Sequence, residues 1–113
     1  MKYFLIFLMA VLWHKDIFCQ DKDISAKQVA EKITTKLFDS LHLNVQQKSA
    51  VYLINMQLYH LKGSVRGQYT EGDSLVSGIQ KIENTRDSFY AKVLTRVQFL
   101  NYVNKKRNLV NNN

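Results

Sequence analysis

The segment "VLTRVQFLNYV", residues 93–103, carries the clearest structural signal in the chain. Thr95 is a residue type that favours the N-cap of a helix, and Gln98 stands three positions later, which is the spacing of a capping box. Leu94 precedes the cap and Phe99 is the fourth helical residue, so the two side chains are placed to form a hydrophobic staple. The segment therefore predicts a helix that begins after Thr95 at a fixed angle to the helix before it.

A looser copy of this segment, "HLNVQQKSAVYL", occupies residues 42–53. Here Asn44 is the predicted N-cap and Gln47 the third helical residue, so the capping box is complete. The staple is not, because Lys48 stands where an apolar residue is needed. Leu43 and Leu94 precede the two caps in the same way. We therefore predict two helical hairpins, each of which turns at one of these motifs.

Helical spacing of apolar residues predicts four helices, and strand-like alternation is hard to find. Ser25 is a candidate cap for the first helix. Gly63 or Gly67 is expected to end the second, and Asp73 or Ser74 to begin the third. The predicted helices cover approximately residues 25–41, 45–62, 75–93 and 96–109.

Each predicted helix has an inward face of apolar residues at steps of three and four. The predicted inward residues are Ala26, Val29, Ala30, Ile33, Leu37 and Phe38 in the first helix; Val51, Ile54, Leu58 and Leu61 in the second; Val76, Ile79, Ile82, Phe89 and Val93 in the third; and Val97, Leu100 and Val103 in the fourth. In the second helix Tyr52, Leu53, Met56 and Tyr59 widen the apolar face. The fold class predicted from these patterns is all-α.

The N-terminus has the pattern of an export signal. Lys2 supplies a positive start, and residues 3–13 form an unbroken apolar run. This run is shorter than the ~20 apolar residues that a membrane-spanning helix needs, but it has the length of the core of a secretory signal. We predict that residues 1–19 are a signal peptide and that residues 20–113 form a single helical domain. The alternative is that the run is a buried first helix.

Cys19 is the single cysteine of the chain. A lipid-modified cysteine at the mature end is an alternative to cleavage after Cys19, but Ile17 and Phe18 argue against it because lipoprotein signals have a small residue before the cysteine. If Cys19 leaves with the signal peptide, the mature chain has no thiol and cannot form disulfides. Its stability must then come from a helical core or from self-association.

Residues 20–113 carry 14 Lys and Arg and 8 Asp and Glu, a net charge of +6, because only Lys2, Lys15 and Asp16 precede them. Such a balance suits an acidic partner, an anionic surface or a broad class of polypeptides. The charges are scattered, whereas a nucleic-acid binder more often has a clustered basic stripe. The sequence has no glycine-rich phosphate loop, no Ser/His/Asp set and no candidate Cys nucleophile, so neither catalysis nor a cofactor is predicted.

The two capping segments also carry a resemblance to a known family. "LTRVQ", residues 94–98, fits the motif Leu-Thr-x-x-Gln, and "LNVQQ", residues 43–47, fits it with Asn44 in place of threonine. With their flanks, "LHLNVQQKSAVYLIN" and "RDSFYAKVLTRVQFLNYVNKK", they resemble the Spy and CpxP family of periplasmic stress proteins, in a divergent form typical of Bacteroidota. The resemblance covers about residues 36–107, and the mature chain is short for this family.

The resemblance implies an elongated pair of helical hairpins that forms a cradle-like homodimer in the periplasm. In that family the concave face is basic with apolar patches, and it holds unfolded or partly folded proteins without ATP during envelope stress. Some relatives instead bind the outer domain of a membrane sensor kinase, and others sense metals.

We therefore expect an ATP-independent periplasmic chaperone. The residues predicted to contact clients are the cations Lys48, Lys62, Arg66, Arg86, Lys92 and Arg96 and the aromatic residues Tyr52 and Tyr59. The competing interpretation is that these cations form an ordinary solvated face and that the tyrosines belong to the core.

Two other functions are open at the level of sequence. A regulatory adaptor would use the same basic surface to dock on one acidic envelope sensor domain. A metal sensor would use Met56 and His60, which are four residues apart on one helical face. Two such ligands do not complete a metal site, so no metal is predicted.

Overall fold

The computed structural model describes residues 24–111, and within this range the chain is helical without any strand. The prediction of an all-α fold is confirmed. The predicted signal peptide, residues 1–19, and Cys19 lie outside the described residues. The helices are α1 (24–41), α2 (Val45–Gln68), α3 (Asp73–Val93) and α4 (Arg96–Lys106), and a π-helical segment, Arg107–Asn111, follows α4 directly.

The arrangement is flat and elongated, with principal extents of 58 × 39 × 20 Å. A helix with its side chains is about 10–12 Å across, so the shortest extent corresponds to two layers of helices. α2 packs along α3 as an antiparallel hairpin, and α4 contacts the end of α3. The α1–α2 junction and the α3–α4 junction lie at the same end of this hairpin.

The hydrophobic core is concentrated near that end. It draws on all four helices, both junctions and the π-helical segment, and its buried members are Ile33, Leu37, Leu41, Leu43, Val51, Tyr90, Leu94, Tyr102, Leu109 and Val110. Burial of one large apolar side chain contributes about 1.5–3 kcal/mol. Packing of the core at the two junctions therefore holds the four helices together.

Two tyrosines fix α4 against α3. The rings of Tyr90 and Tyr102 meet edge to face, with centroids 5.0 Å apart. The Tyr102 hydroxyl donates to Asp87 Oδ1 at 2.7 Å, and Lys106 Nζ lies 2.9 Å from Asp87 Oδ2. α4 is thus held by an apolar contact and by two polar ones that share a carboxylate.

The predicted start of α1 and the predicted end of α2 were wrong. Ser25 is not an N-cap, because residues 24 and 25 are already helical. Neither Gly63 nor Gly67 ends α2, which continues to Gln68. Packing of α3 along the extra turns explains this extension, since a Cβ added to Gly78 of α3 would lie 2.8 Å from Val65 Cγ1. Tertiary contact here outweighs the low helix propensity of glycine.

The start of α3 differs in its cap from the prediction. Asp73 is the first helical residue, and the N-cap is Gly72, which has φ 92° and makes no side-chain capping bond. This positive φ is tolerated because glycine has no Cβ. Val76, predicted to point inward, is exposed.

The predicted inward face of α4 was also wrong. Val97, Leu100 and Val103 are 69%, 54% and 51% exposed. The inward positions belong to Tyr102, which is fully buried, and to Phe99, which packs against the core. The aromatic residues bury more apolar surface and Tyr102 also reaches Asp87, so the rotation that buries them has the lower free energy. In α2, Leu53 and Leu61 are likewise exposed.

Candidate functional site

Both predicted capping boxes are present. Asn44 Oδ1 accepts from the backbone N–H of Gln47 at 2.7 Å, and Gln47 Oε1 accepts from the backbone N–H of Asn44 at 3.0 Å. At the other junction, Thr95 Oγ1 accepts from Gln98 N at 3.2 Å and Gln98 Oε1 accepts from Thr95 N at 2.9 Å. Each box satisfies two backbone donors that a helix N-terminus leaves without intrahelical partners.

The glutamines of the two boxes also hydrogen-bond to each other. Gln47 Nε2 donates to Gln98 Oε1 at 2.7 Å, and Gln98 Nε2 lies 3.3 Å from Gln47 Oε1. We call the four residues Asn44, Gln47, Thr95 and Gln98 the junction cluster. The two motifs are therefore one structural unit, although they are far apart in the sequence.

Each glutamine of the junction cluster also reaches the end of the helix at the other junction. Gln47 Nε2 lies 3.2 Å from the carbonyl oxygen of Val93, at the C-terminus of α3. Gln98 Nε2 lies 3.3 Å from the carbonyl oxygen of Leu41 and 3.4 Å from that of His42, where α1 ends. C-terminal carbonyls have no partner within their own helix, so the crossed bonds satisfy acceptors at both junctions.

The residues beside the junction cluster differ between the two junctions. Leu43 and Leu94 are both buried in the core. Phe99 packs against the same core, as the staple prediction requires. Lys48, at the corresponding position of α2, instead places Nζ 4.4 Å from the centroid of the Phe38 ring. The α1–α2 junction thus has a cation–π contact at the position where the α3–α4 junction has an apolar contact.

The α1–α2 junction contains the one non-glycine residue with positive φ in the described range. His42 has φ 56°, and the next residue, Leu43, donates its N–H to the carbonyl of Phe38 at 3.4 Å. This is the geometry of a Schellman-type helix end, which usually has glycine at the left-handed position. The α3–α4 junction makes its turn with Leu94 and Thr95 in extended conformations.

A second polar cluster is buried between α1, α2 and α3. Asn55 lies at its centre: Nδ2 donates to Thr34 Oγ1 at 2.9 Å, and Oδ1 accepts from Arg86 Nη1 at 2.8 Å and from the Tyr90 hydroxyl. Arg86 Nη1 also donates to Tyr90 Oη at 3.0 Å. We call Thr34, Asn55, Arg86, Tyr90 and the adjacent Glu83 the buried network.

The charge of Arg86 is balanced within this network. Its Nε donates to Glu83 Oε2 at 3.1 Å, and Lys62 Nζ pairs with the other oxygen of the same carboxylate. Burial alone would raise the pKa of Glu83, but the hydrogen bond from Lys62 and the charge of Arg86 outweigh it and lower that pKa. Burial alone would lower the pKa of Arg86, but its interactions with Tyr90 and with the Glu83 carboxylate more than offset this and raise that pKa. Both groups are therefore charged at neutral pH.

Sequence reasoning did not find the buried network, although a signal for it exists. Arg86 stands four residues from both Ile82 and Tyr90, in the apolar stripe of α3. Asn55 stands four residues after Val51 and three before Leu58, in the stripe of α2. A polar side chain within an apolar stripe indicates a buried partner, because an unpaired polar group there is costly.

The predicted client-binding residues differ in their exposure. Lys48, Arg66, Lys92 and Arg96 are exposed, whereas Tyr52, Tyr59 and Lys62 are half-buried. Arg86 must be removed from the set, because it is 2% exposed and its guanidinium is engaged in the buried network. Lys48 and Tyr52 share an open groove between α1 and α2, which Leu53 also lines.

The outer face of α4, which sequence reasoning placed inward, combines apolar groups with cations. Val97, Leu100 and Val103 lie along it, and the exposed Arg96 and Arg107 stand at its two ends. We call these five residues the α4 outer face. Neither arginine forms a salt bridge with another described residue. A polypeptide lying on this face would meet apolar contacts between two cationic ends.

The two residues considered for metal binding, Met56 and His60, both lie on α2. His60 is exposed and Met56 half-buried on α2. Within residues 24–111 no group of three His, Cys, Asp or Glu side chains is placed to hold a metal ion. None of the helices in the same range is both long and apolar enough to cross a bilayer.

Comparison with protein-family models, curated proteins and solved structures found no match to this chain. The resemblance to Spy and CpxP proteins therefore rests on the two motifs and their flanking residues.

Proposed function

We propose that this chain is an ATP-independent periplasmic chaperone of the Spy and CpxP kind, which binds unfolded or partly folded proteins and catalyses no reaction. The observation that carries the proposal is the α4 outer face, where Val97, Leu100 and Val103 are exposed between Arg96 and Arg107. Exposed apolar groups hold unfolded segments, and nearby cations attract acidic ones.

The basic balance of the chain supports the same function. The full sequence has a net charge of +7 at pH 7. Lys48 and Lys92 add exposed cations on α2 and α3. Such scattered charge favours weak binding of many partners over tight binding of one, because it offers no fixed geometry to a particular ligand.

The two junctions give this surface its rigidity. The junction cluster joins the ends of α1 and α3 to the starts of α2 and α4, and α4 is also attached to α3 through Asp87. A binding face on a fixed helix loses little conformational entropy when a client binds.

The test is suppression of aggregation. A chemically unfolded client is diluted into the purified protein, expressed from the full 113-residue chain, and light scattering is followed without ATP for several unrelated clients. We expect suppression for all of them at similar ratios and weaker suppression at high salt, because salt screens exposed charges. Suppression for none of the clients would contradict the proposal. Binding of a single protein from an envelope extract would then favour the adaptor.

We also propose that the chain forms a homodimer, as the family resemblance implies. Exposed apolar residues of α2 such as Leu53 and Leu61 support self-association of so small a domain. Sedimentation equilibrium should give twice the mass of the chain, and a monomer at all concentrations would contradict the proposal.

A further inference from the structure

A second recess lies beside the buried network. It is a pocket of about 190 Å³ between α1, α2, α3 and the π-helical segment. Its walls combine the apolar residues Val29, Ile33 and Val110 with the cations Lys62, Arg66 and Arg86. Pockets for drug-sized ligands span roughly 300–1,000 Å³, so this one suits a small molecule or one terminal group of a chain.

The cations of this pocket exceed the negative charge beside them. Glu83 is the carboxylate that contacts them, and it is shared between Lys62 and Arg86. Arg66 is exposed and forms no salt bridge with another described residue. An anion that enters the pocket therefore meets an arginine whose charge is not neutralised by a neighbour.

Arg86 is held by hydrogen bonds that do not use all of its N–H donors. Its Nε donates to Glu83, and Nη1 donates to Asn55 and Tyr90. The remaining terminal nitrogen, Nη2, makes no hydrogen bond to a described residue. Arg86 is buried and lines the pocket, and these hydrogen bonds fix the position of its guanidinium before any ligand binds. A donor fixed in this way loses little entropy on binding.

The geometry points to a binding site for a carboxylate with a short apolar tail, in which Arg86 and Arg66 hold the carboxylate and the apolar residues Val29, Ile33 and Val110 take the tail. An arginine pair suits a planar carboxylate, which accepts charge-assisted hydrogen bonds. These apolar residues would gain nothing from an inorganic anion. The ligand is either a free aliphatic acid or the C-terminal residue of a bound chain.

Calorimetric titration of the protein expressed from the full chain tests this site. The probes are hexanoate, its neutral counterpart hexanamide, inorganic phosphate, and a short peptide ending in leucine with either a free or an amidated C-terminus. We expect each carboxylate to bind at least ~10-fold more tightly than its amide, because charge-assisted hydrogen bonds are about twice as strong as neutral ones. Hexanoate binding as tight as the peptide would identify a free acid as the ligand, and much tighter peptide binding would identify a chain terminus.

Arg66→Gln tests the location of the site without disturbing the buried network, to which Arg66 does not belong. It should weaken hexanoate binding by ~5–10-fold, whereas Lys92→Gln, which removes an exposed cation outside the pocket, should leave it unchanged. Equal losses in both variants, equal binding of acid and amide, phosphate binding as tight as hexanoate, or no binding would each overturn the assignment. The site uses no residue of the α4 outer face, so its failure would leave the light-scattering result unaffected.

Discussion

The junction cluster and the buried network both satisfy the hydrogen-bonding groups of amide side chains, but with different kinds of partner. Both surround amide side chains with partners: Gln47 and Gln98 at the helix ends, and Asn55 between α1, α2 and α3. In the junction cluster the glutamines bond to each other and to backbone groups at helix termini. In the buried network the partners are side chains, and one of them, Arg86, is charged. We therefore expect the buried network to depend more strongly on every member being present.

The largest expected effect on stability comes from removing the charged side chain of the buried network, Arg86. Arg86→Met should lower the free energy of unfolding by about 3–5 kcal/mol, because removal of one partner of a buried ion pair leaves other buried groups unpaired. The measurement is urea unfolding followed by circular dichroism. Lys92→Met, at an exposed position of the same helix, is the control and should change stability by less than about 0.5 kcal/mol. A loss below 1 kcal/mol in Arg86→Met would mean that the network contributes little.

The crossed glutamines should show the next largest effect. Gln47→Ala and Gln98→Ala should each cost about 1–3 kcal/mol, because each leaves helix-terminal groups without partners. The double variant should lose less than the sum of the two by at least about 0.5 kcal/mol, since the side chains contact each other. Gln46→Ala, an exposed neighbour, serves as the control. Additive losses would show that the two junctions act independently.

How far the sequence predicts this molecule depends on how local each signal is. The capping boxes were predictable because cap and glutamine are three residues apart in the chain. The hydrogen bond between Gln47 and Gln98 was not predictable, because it depends on how the two junctions pack together. The orientation of α4 was predicted wrongly, since Val97, Leu100 and Val103 and the pair Phe99 and Tyr102 offer apolar residues on both sides of one short helix. The contacts of Tyr102 with Asp87 and Tyr90 on α3 favour the second side, and they depend on tertiary packing.

Substitution of the two N-cap residues should cost similar amounts of stability, whereas substitutions in the two clusters should differ. Asn44→Ala and Thr95→Ala should each cost about 1 kcal/mol, the usual value for loss of an N-cap side chain. Asn44→Thr, which makes the two junctions alike, should cost no more than a few tenths of that. Thermal unfolding of the three variants provides the measurement. A larger loss in Asn44→Thr than in Asn44→Ala would show that asparagine has a role beyond the cap.

The smallest expected effect is a gain in stability at the α1–α2 junction. His42→Gly should raise the free energy of unfolding by about 0.5 kcal/mol, because relief of the left-handed backbone outweighs the added entropy of the unfolded chain. His60→Gly, at an exposed position inside α2, should have the opposite sign. Loss of stability in His42→Gly would indicate that the imidazole makes a contact that favours this turn.

The claim that the α4 outer face holds clients is tested most directly by a matched pair of variants in the light-scattering assay. Val97→Asn changes this face, and Val76→Asn changes an equally exposed valine at the start of α3; the two side chains are 69% and 68% exposed. We predict that Val97→Asn weakens suppression of aggregation for every client and that Val76→Asn retains the wild-type level. Equal suppression by the two variants, with unfolding midpoints unchanged, would contradict the account.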